Sequence, residues 1–213
     1  MTKIAVSILS TTDNLTKVIK KIDKTDADYL HIDIMDGKFV SSKSFAFSQI
    51  AKETKHTSKK LDVHLMVQNP SKEIANYALL NVEYITIHYE IGEQIITLID
   101  KIKSYGVKCG ISINPATDVQ KIIPLLPKID LVLVMSVHPG LGGQTFLANA
   151  IDKIRLLKEQ IIKNDYKTVI SVDGGINQEI AHVCQEAGAD IIVAGTFIVT
   201  SNDFQSQITK LRS

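Results

Sequence analysis

Short runs of β-branched and aliphatic residues alternate along the chain with longer stretches in which apolar residues recur every three or four positions. The first pattern reads as buried strand and the second as amphipathic helix, so their alternation predicts repeated βα units around a parallel sheet. Strands are expected at Ile4–Leu9, Tyr29–Asp33, Lys60–Leu65, Tyr84–Ile87, Val107–Ile113, Leu131–Met135, Thr168–Val172 and Ile191–Val193, which makes the eight that close a barrel. Helices fill the gaps: Asn69-Pro70-Ser71 opens one ahead of Glu73 and Ile74, and Gly188 ends another after Glu186-Ala187. An open doubly wound sheet competes with this arrangement, but it carries its Gly-rich phosphate loop after the first strand, where this chain has Ser7-Ile8-Leu9-Ser10. The reading is an α/β chain folded as a (β/α)8 TIM barrel, one catalytic domain over residues 1–213, with functional side chains at the strand ends.

Strand side chains alternate between faces, and helices must cover the apolar face. In the second strand Leu30, Ile32 and Ile34 therefore face the helices, while His31, Asp33 and Met35 face the barrel interior. The third strand repeats this, with Asp62, His64 and Met66 inward, and in the seventh Ser171 and Asp173 share the inward parity. Two histidines and two aspartates thus converge on the barrel mouth. A carboxylate there is costly to desolvate unless a cation or another partner meets it. His31, Asp33, His64 and Asp173 suit one borderline divalent ion such as zinc, iron(II), manganese or cobalt, with positions open to substrate oxygens. A buried His/Asp hydrogen-bond network is the alternative. The internal methionines Met35, Met66 and Met135 also fall at strand ends with inward parity, either as a ring of polarizable sulfur or as ordinary core.

Glycines cluster after the last three strands, in Gly140-Leu141-Gly142-Gly143, Asp173-Gly174-Gly175 and Ala194-Gly195-Thr196. Barrels bind phosphate at this position, where bare backbone approaches an anion, although tight βα turns need glycine too. The longer loop from Ser136 to Phe146 is a candidate lid. With 24 basic against 23 acidic residues and no charged block, the chain has no electrostatic footprint for nucleic acid or an anionic membrane surface. No apolar run reaches the roughly 20 residues of a membrane span. A cytoplasmic enzyme of a small phosphorylated molecule, assembled as a homo-oligomer, is the expectation. Cys109 and Cys184 read as small buried residues, His56 and His182 as solvated residues on exposed helices, and His88, ending the fourth strand, as either a core residue or a substrate contact.

The chain resembles the ribulose-phosphate 3-epimerase family, a ribulose-phosphate-binding type of barrel. The likeness runs through Ser7-Ile8-Leu9-Ser10, His31-Ile32-Asp33-Ile34-Met35-Asp36-Gly37, Asp62-Val63-His64-Leu65-Met66, Asn114-Pro115-Ala116-Thr117, Met135-Ser136-Val137-His138-Pro139-Gly140 and Val172-Asp173-Gly174-Gly175-Ile176. It implies that His31, Asp33, His64 and Asp173 hold the metal, and that Asp33 and Asp173 are also the acid/base pair on opposite faces of the sugar. It further implies Ser7 beside the substrate, and Gly142, Gly143, Gly174, Gly175, Gly195 and Thr196 around its phosphate. The implied reaction interconverts D-ribulose 5-phosphate and D-xylulose 5-phosphate through an enediolate, whose charge a divalent cation stabilises while two opposed carboxylates invert C3. Three features depart from the family: Ser41-Ser42-Lys43-Ser44 where Pro-Asn is usual, His138 in place of Asn, and Leu141 in place of Phe. They lie in substrate-facing loops and leave a related ketose such as D-allulose 6-phosphate open. An enzyme that cleaves or couples a phosphorylated sugar and a catalytically silent sugar-phosphate-binding barrel are the other readings.

Overall fold

The computed structural model describes residues 1–92 and 94–213. Eight parallel strands, β1 (Lys3–Ser7), β2 (Tyr29–Met35), β3 (Lys60–Met66), β4 (Val82–His88), β5 (Lys108–Ile113), β6 (Leu131–Met135), β7 (Val169–Asp173) and β8 (Ile191–Ala194), pair in chain order, and β8 returns to β1 to close the barrel. Closure excludes the doubly wound sheet. Around it lie α1 (Leu15–Asp23), α2 (Phe47–Glu53), α3 (Ser71–Tyr77), α4 (Ile95–Ser104), α5 (Asn149–Lys163), α6 (Gln178–Ala187), α7 (Thr196–Val199) and α8 (Phe204–Arg212).

Local chemistry accounts for these elements. Asn14 caps α1 by accepting the Lys17 amide, and Leu15, Val18, Ile19 and Ile22 form its buried stripe. Helix α6 starts under an Asn177 cap and stops at Gly188, whose φ of 113° lets its amide turn back onto Cys184 and Gln185. Among the described residues there are eight α-helices, but they are not distributed one per strand. The link after β5 is two 3-10 segments, Val119–Lys121 and Ile123–Lys128, because Pro124 and Pro127 withdraw amide donors there, while both α7 and α8 follow β8. Strand β2 runs two residues further than expected, to Met35, because its ladder with β3 continues through Ile34 beside Leu65 and Met35 beside Met66, and Ser44 Oγ accepts the Met35 amide and donates to the Asp33 carbonyl there. His56 lies exposed in the turn after α2 rather than on a helix.

The apolar residues divide into two layers. Leu30, Ile32, Ile34, Val63 and Leu65 belong to the outer core under the helices. Ala5, Tyr29, Tyr84, Leu131, Leu133, Ile191 and Val193 fill the barrel itself. Tyr29 and Tyr84 meet edge-on at 5.8 Å between ring centres, and Lys3 Nζ donates to the Tyr29 hydroxyl, so side chains fill the lower part of the barrel. No helix among the described residues is long and apolar enough to cross a membrane.

One glycine sets the tightness of this interior. A Cβ at Gly110 would lie 2.2 Å from Thr86 Oγ1 and 3.0 Å from a Leu131 methyl. Gly110→Ala is therefore expected to lower stability by about 1–3 kcal/mol in denaturant unfolding, and adding Thr86→Ala to recover part of it. An unaffected single variant would show that the interior can yield.

Candidate active site

The register of β2 and β3 places His31 beside Asp62, Asp33 beside His64, and Met35 beside Met66. Across the mouth, β7 ends at Asp173, next to Met135 of β6. Each of His31, Asp33, His64 and Asp173 offers a nitrogen or oxygen within 4.8 Å of the others, so the four residues that sequence parity selected do meet. Asp33 Oδ1 is the centre, 3.3 Å from His31 Nε2 and 3.1 Å from His64 Nδ1. Its other oxygen accepts a 2.8 Å hydrogen bond from Ser7 Oγ. His31 and His64 are fully buried, Asp33 nearly so, and Asp173 is 17% exposed where it meets the cavity.

Asp62 settles the orientation of His31. Its carboxylate takes a 2.8 Å hydrogen bond from Nδ1, so a neutral His31 carries its lone pair on Nε2, a buried atom without a hydrogen-bond partner. That lone pair faces the carboxylates of Asp33 and, at 3.9 Å, Asp173. Such an assembly of acceptors requires a cation in its midst, either protons or a metal ion, and the donor set of two imidazoles and two carboxylates fits a divalent one.

Titration tendencies agree. Burial opposes charge on His31, but the adjacent Asp33 and Asp62 outweigh it and raise its pKa well above the ordinary 6.5. Burial would raise Asp33 as well, yet the charge of His31 and the close approach of both imidazoles hold it far below the usual carboxylate range. Burial takes His64 down to about 4, against the pull of Asp33. Asp173 is pushed up to about 7, first by burial and then by the charge of Asp33, with His31 opposing. The two aspartates therefore prefer opposite protonation states.

Above this cluster opens a cavity of about 290 Å³, within the small-molecule range. Ser7, Asp33 and Asp173 line it, as do Met35, Met66 and Met135. Gly142, Gly143, Gly174, Gly175, Gly195 and Thr196 line it too, while His31 and His64 lie beneath. A Cβ on Gly175 would lie 2.4 Å from the Phe146 backbone, so the loop from Ser136 to Phe146 rests on the glycines of β7. Gln144 Nε2 braces that loop by donating to the carbonyls of His138 and Leu141. Of the departures from the family pattern, Leu141 lines the cavity, whereas residues 41–44 and His138 do not. The sequence reading left out Ser10, which bonds Thr196 at 2.9 Å, and assigned no role to Asp62 or Glu90. Asp62 had the inward parity of His64 as a signal; Ser10 and Glu90 lie beyond strand ends, where parity lapses. His88 is buried against His64, and His182 pairs with Glu186 on the surface of α6.

Comparison with known proteins places the chain in a family. A family model described as "Ribulose-phosphate 3 epimerase family" matches residues 3–199. The ribulose-phosphate 3-epimerase of Methanocaldococcus jannaschii is 40% identical over all of this chain and 90% of its own length. That of Bacillus subtilis is 37% identical, covering all of this chain and 99% of its own. Among solved structures, a 3-hexulose-6-phosphate synthase superposes with a TM-score of 0.71 at 17% identity, over 99% of this chain and 98% of its own. A phosphoribosyl anthranilate isomerase from Thermococcus kodakaraensis gives 0.67 at 10%, over 100% and 97%; both likenesses are of fold alone. With its family model matched from β1 to α7 and whole-length relatives above 30% identity, this chain belongs to the ribulose-phosphate 3-epimerase family of isomerases.

Proposed function

We propose that this protein interconverts D-ribulose 5-phosphate and D-xylulose 5-phosphate, with Asp33 and Asp173 exchanging the C3 proton from opposite faces of the sugar. The observation that carries the proposal is the pair itself: two aspartates on one buried cluster at a cavity floor, one held ionised and the other near pH 7. The ionised member serves as base while its protonated counterpart serves as acid, which is the condition for inversion in one binding event. Ser7 holds Asp33 by its Oδ2, leaving Oδ1 in the cluster. The methionine ring presents an apolar, polarizable wall to the reacting carbons and keeps water from the proton in transit. The glycine backbone of residues 142–143, 174–175 and 195, with Thr196, receives the phosphate and so sets which carbon lies over the aspartates. The loop from Ser136 to Phe146 closes over the bound sugar.

One divalent ion, of zinc, iron, manganese or cobalt, would be held by His31, Asp33, His64 and Asp173, and when bound it acidifies C3 by drawing charge onto the neighbouring oxygens. The barrel acts as one catalytic domain in the cytoplasm. D-ribulose 5-phosphate, the substrate that the family's name gives, is the one we infer, since of the departures from the family pattern only Leu141 lines the cavity.

Incubating the purified protein with D-ribulose 5-phosphate and each metal in turn is expected to yield D-xylulose 5-phosphate faster than D-allulose 6-phosphate reacts; absence of turnover with all metals would refute the proposal. Asp33→Asn and Asp173→Asn are each expected to lower kcat by at least ~100-fold, since either change removes one of the two proton carriers. Near-normal kcat in either variant would exclude the two-base scheme. Metal binding has to displace the protons that Asp173 and His31 otherwise retain. Affinity measured by calorimetry should therefore climb as pH rises through about 7, with proton release visible in the buffer dependence of the heat; binding indifferent to pH between about 6 and 8 would contradict this.

A further inference from the structure

Asn114-Pro115-Ala116-Thr117 is the one motif of the sequence reading that the site leaves unused. Its loop follows β5 and does not line the cavity. It is nonetheless tightly held. Lys153 Nζ from α5 donates to the carbonyls of Asn114, Pro115 and Thr117 at 3.0, 2.8 and 2.6 Å. The loop in turn grips Glu90, whose Oε1 accepts the Asn114 amide at 2.9 Å and the Thr117 hydroxyl.

From Glu90 a chain of hydrogen bonds leads inward. Glu90 Oε2 lies 3.1 Å from His88 Nδ1, His88 Nε2 lies 2.9 Å from His64 Nε2, and His64 Nδ1 faces the cluster. His88 is fully buried, its ring edge to edge with that of His64 at 4.9 Å between centres and flanked by Phe39 at 4.7 Å.

This arrangement leaves neutral rings one choice of hydrogens. A carboxylate only accepts, so His88 must carry its hydrogen on Nδ1 and a lone pair on Nε2. The 2.9 Å contact then requires His64 to carry its hydrogen on Nε2, which leaves the His64 lone pair on Nδ1, directed at the cluster. The two histidines of the site are thus used through different nitrogens: Asp62 makes His31 a ligand through Nε2, and Glu90 acts through His88 to make His64 one through Nδ1.

We propose that His88 and Glu90 are positioning residues that fix the tautomer of His64 and hence its capacity to bind the metal, with the Asn114–Thr117 loop as their anchor. The proposal rests on the metal reading of the four-residue cluster. Outer partners of this kind are typically worth about 10–100-fold in metal affinity.

Two measurements test it, and neither depends on turnover. In protein labelled with ¹⁵N-histidine and loaded with zinc, long-range ¹H–¹⁵N correlations are expected to show His64 coordinated through Nδ1 and protonated at Nε2. Zinc affinity from chelator competition is expected to weaken roughly 10–100-fold in His88→Phe, which keeps the ring volume but removes the acceptor. It should return to within a few-fold of normal in His88→Gln, whose amide oxygen accepts again. Coordination of His64 through Nε2, or His88→Phe binding zinc as tightly as the unaltered protein, overturns the proposal while leaving the metal site intact. Failure of the unaltered protein to bind any divalent metal overturns both.

Discussion

Burying the Asp33 carboxylate is the constraint on which the site depends. It sits inside a barrel packed below with tyrosine, leucine and valine, 3% exposed, and water solvates it poorly there. Every polar neighbour answers that cost. Ser7 donates to one oxygen, two imidazole nitrogens approach the other, and Asp62 and the His88–Glu90 pair orient those imidazoles from behind. Asp173 joins the same cluster, and burial first, then the charges of Asp33 and Asp62, pushes its pKa up. A cluster with such an excess of acceptors is stable only with cations in it, so the same burial that is costly to the fold makes a strong binding site.

The scaffold turns this constraint into geometry. Parallel pairing of β2 with β3 makes Asp33 and His64 neighbours in register, and barrel closure brings Asp173 of β7 to the same point. Neighbours then differentiate the two aspartates: histidines keep Asp33 ionised against its burial, and Asp173, pushed up first by burial and then by the charge of Asp33, titrates at about 7. A base and an acid follow from one residue type placed in two environments.

Much of this was legible in the sequence, for a physical reason. Alternation along a strand is strict, so once helices were assigned to cover Leu30, Ile32 and Ile34, the inward direction of His31 and Asp33 was determined. The same logic found His64, Asp173 and the three methionines. It failed where alternation has no hold. The end of β2 is set by its ladder with β3, about 30 residues on, and is joined by Ser44, eleven residues beyond Asp33, bonding back to the strand, neither of which a local pattern reveals. The 3-10 connection after β5 follows from proline placement within a stretch that otherwise reads as helical. Glu90 lies past the end of β4, and its link to the site passes through Asn114 and Thr117, 24 and 27 residues away. Asp62 was visible with the correct parity, but whether it binds a cation or steers His31 depends on a 2.8 Å contact that only three dimensions supply.

The assignment of separate faces to Asp33 and Asp173 is tested most directly by hydrogen exchange at C3 in heavy water, following each ketose phosphate by NMR with the two asparagine variants. With one proton carrier per face, each variant that still binds substrate should exchange the C3 hydrogen of one epimer only, a different epimer for each variant, with almost no epimerisation. Exchange of both epimers by a single variant would mean that one group reaches both faces, and the two-aspartate account would be wrong.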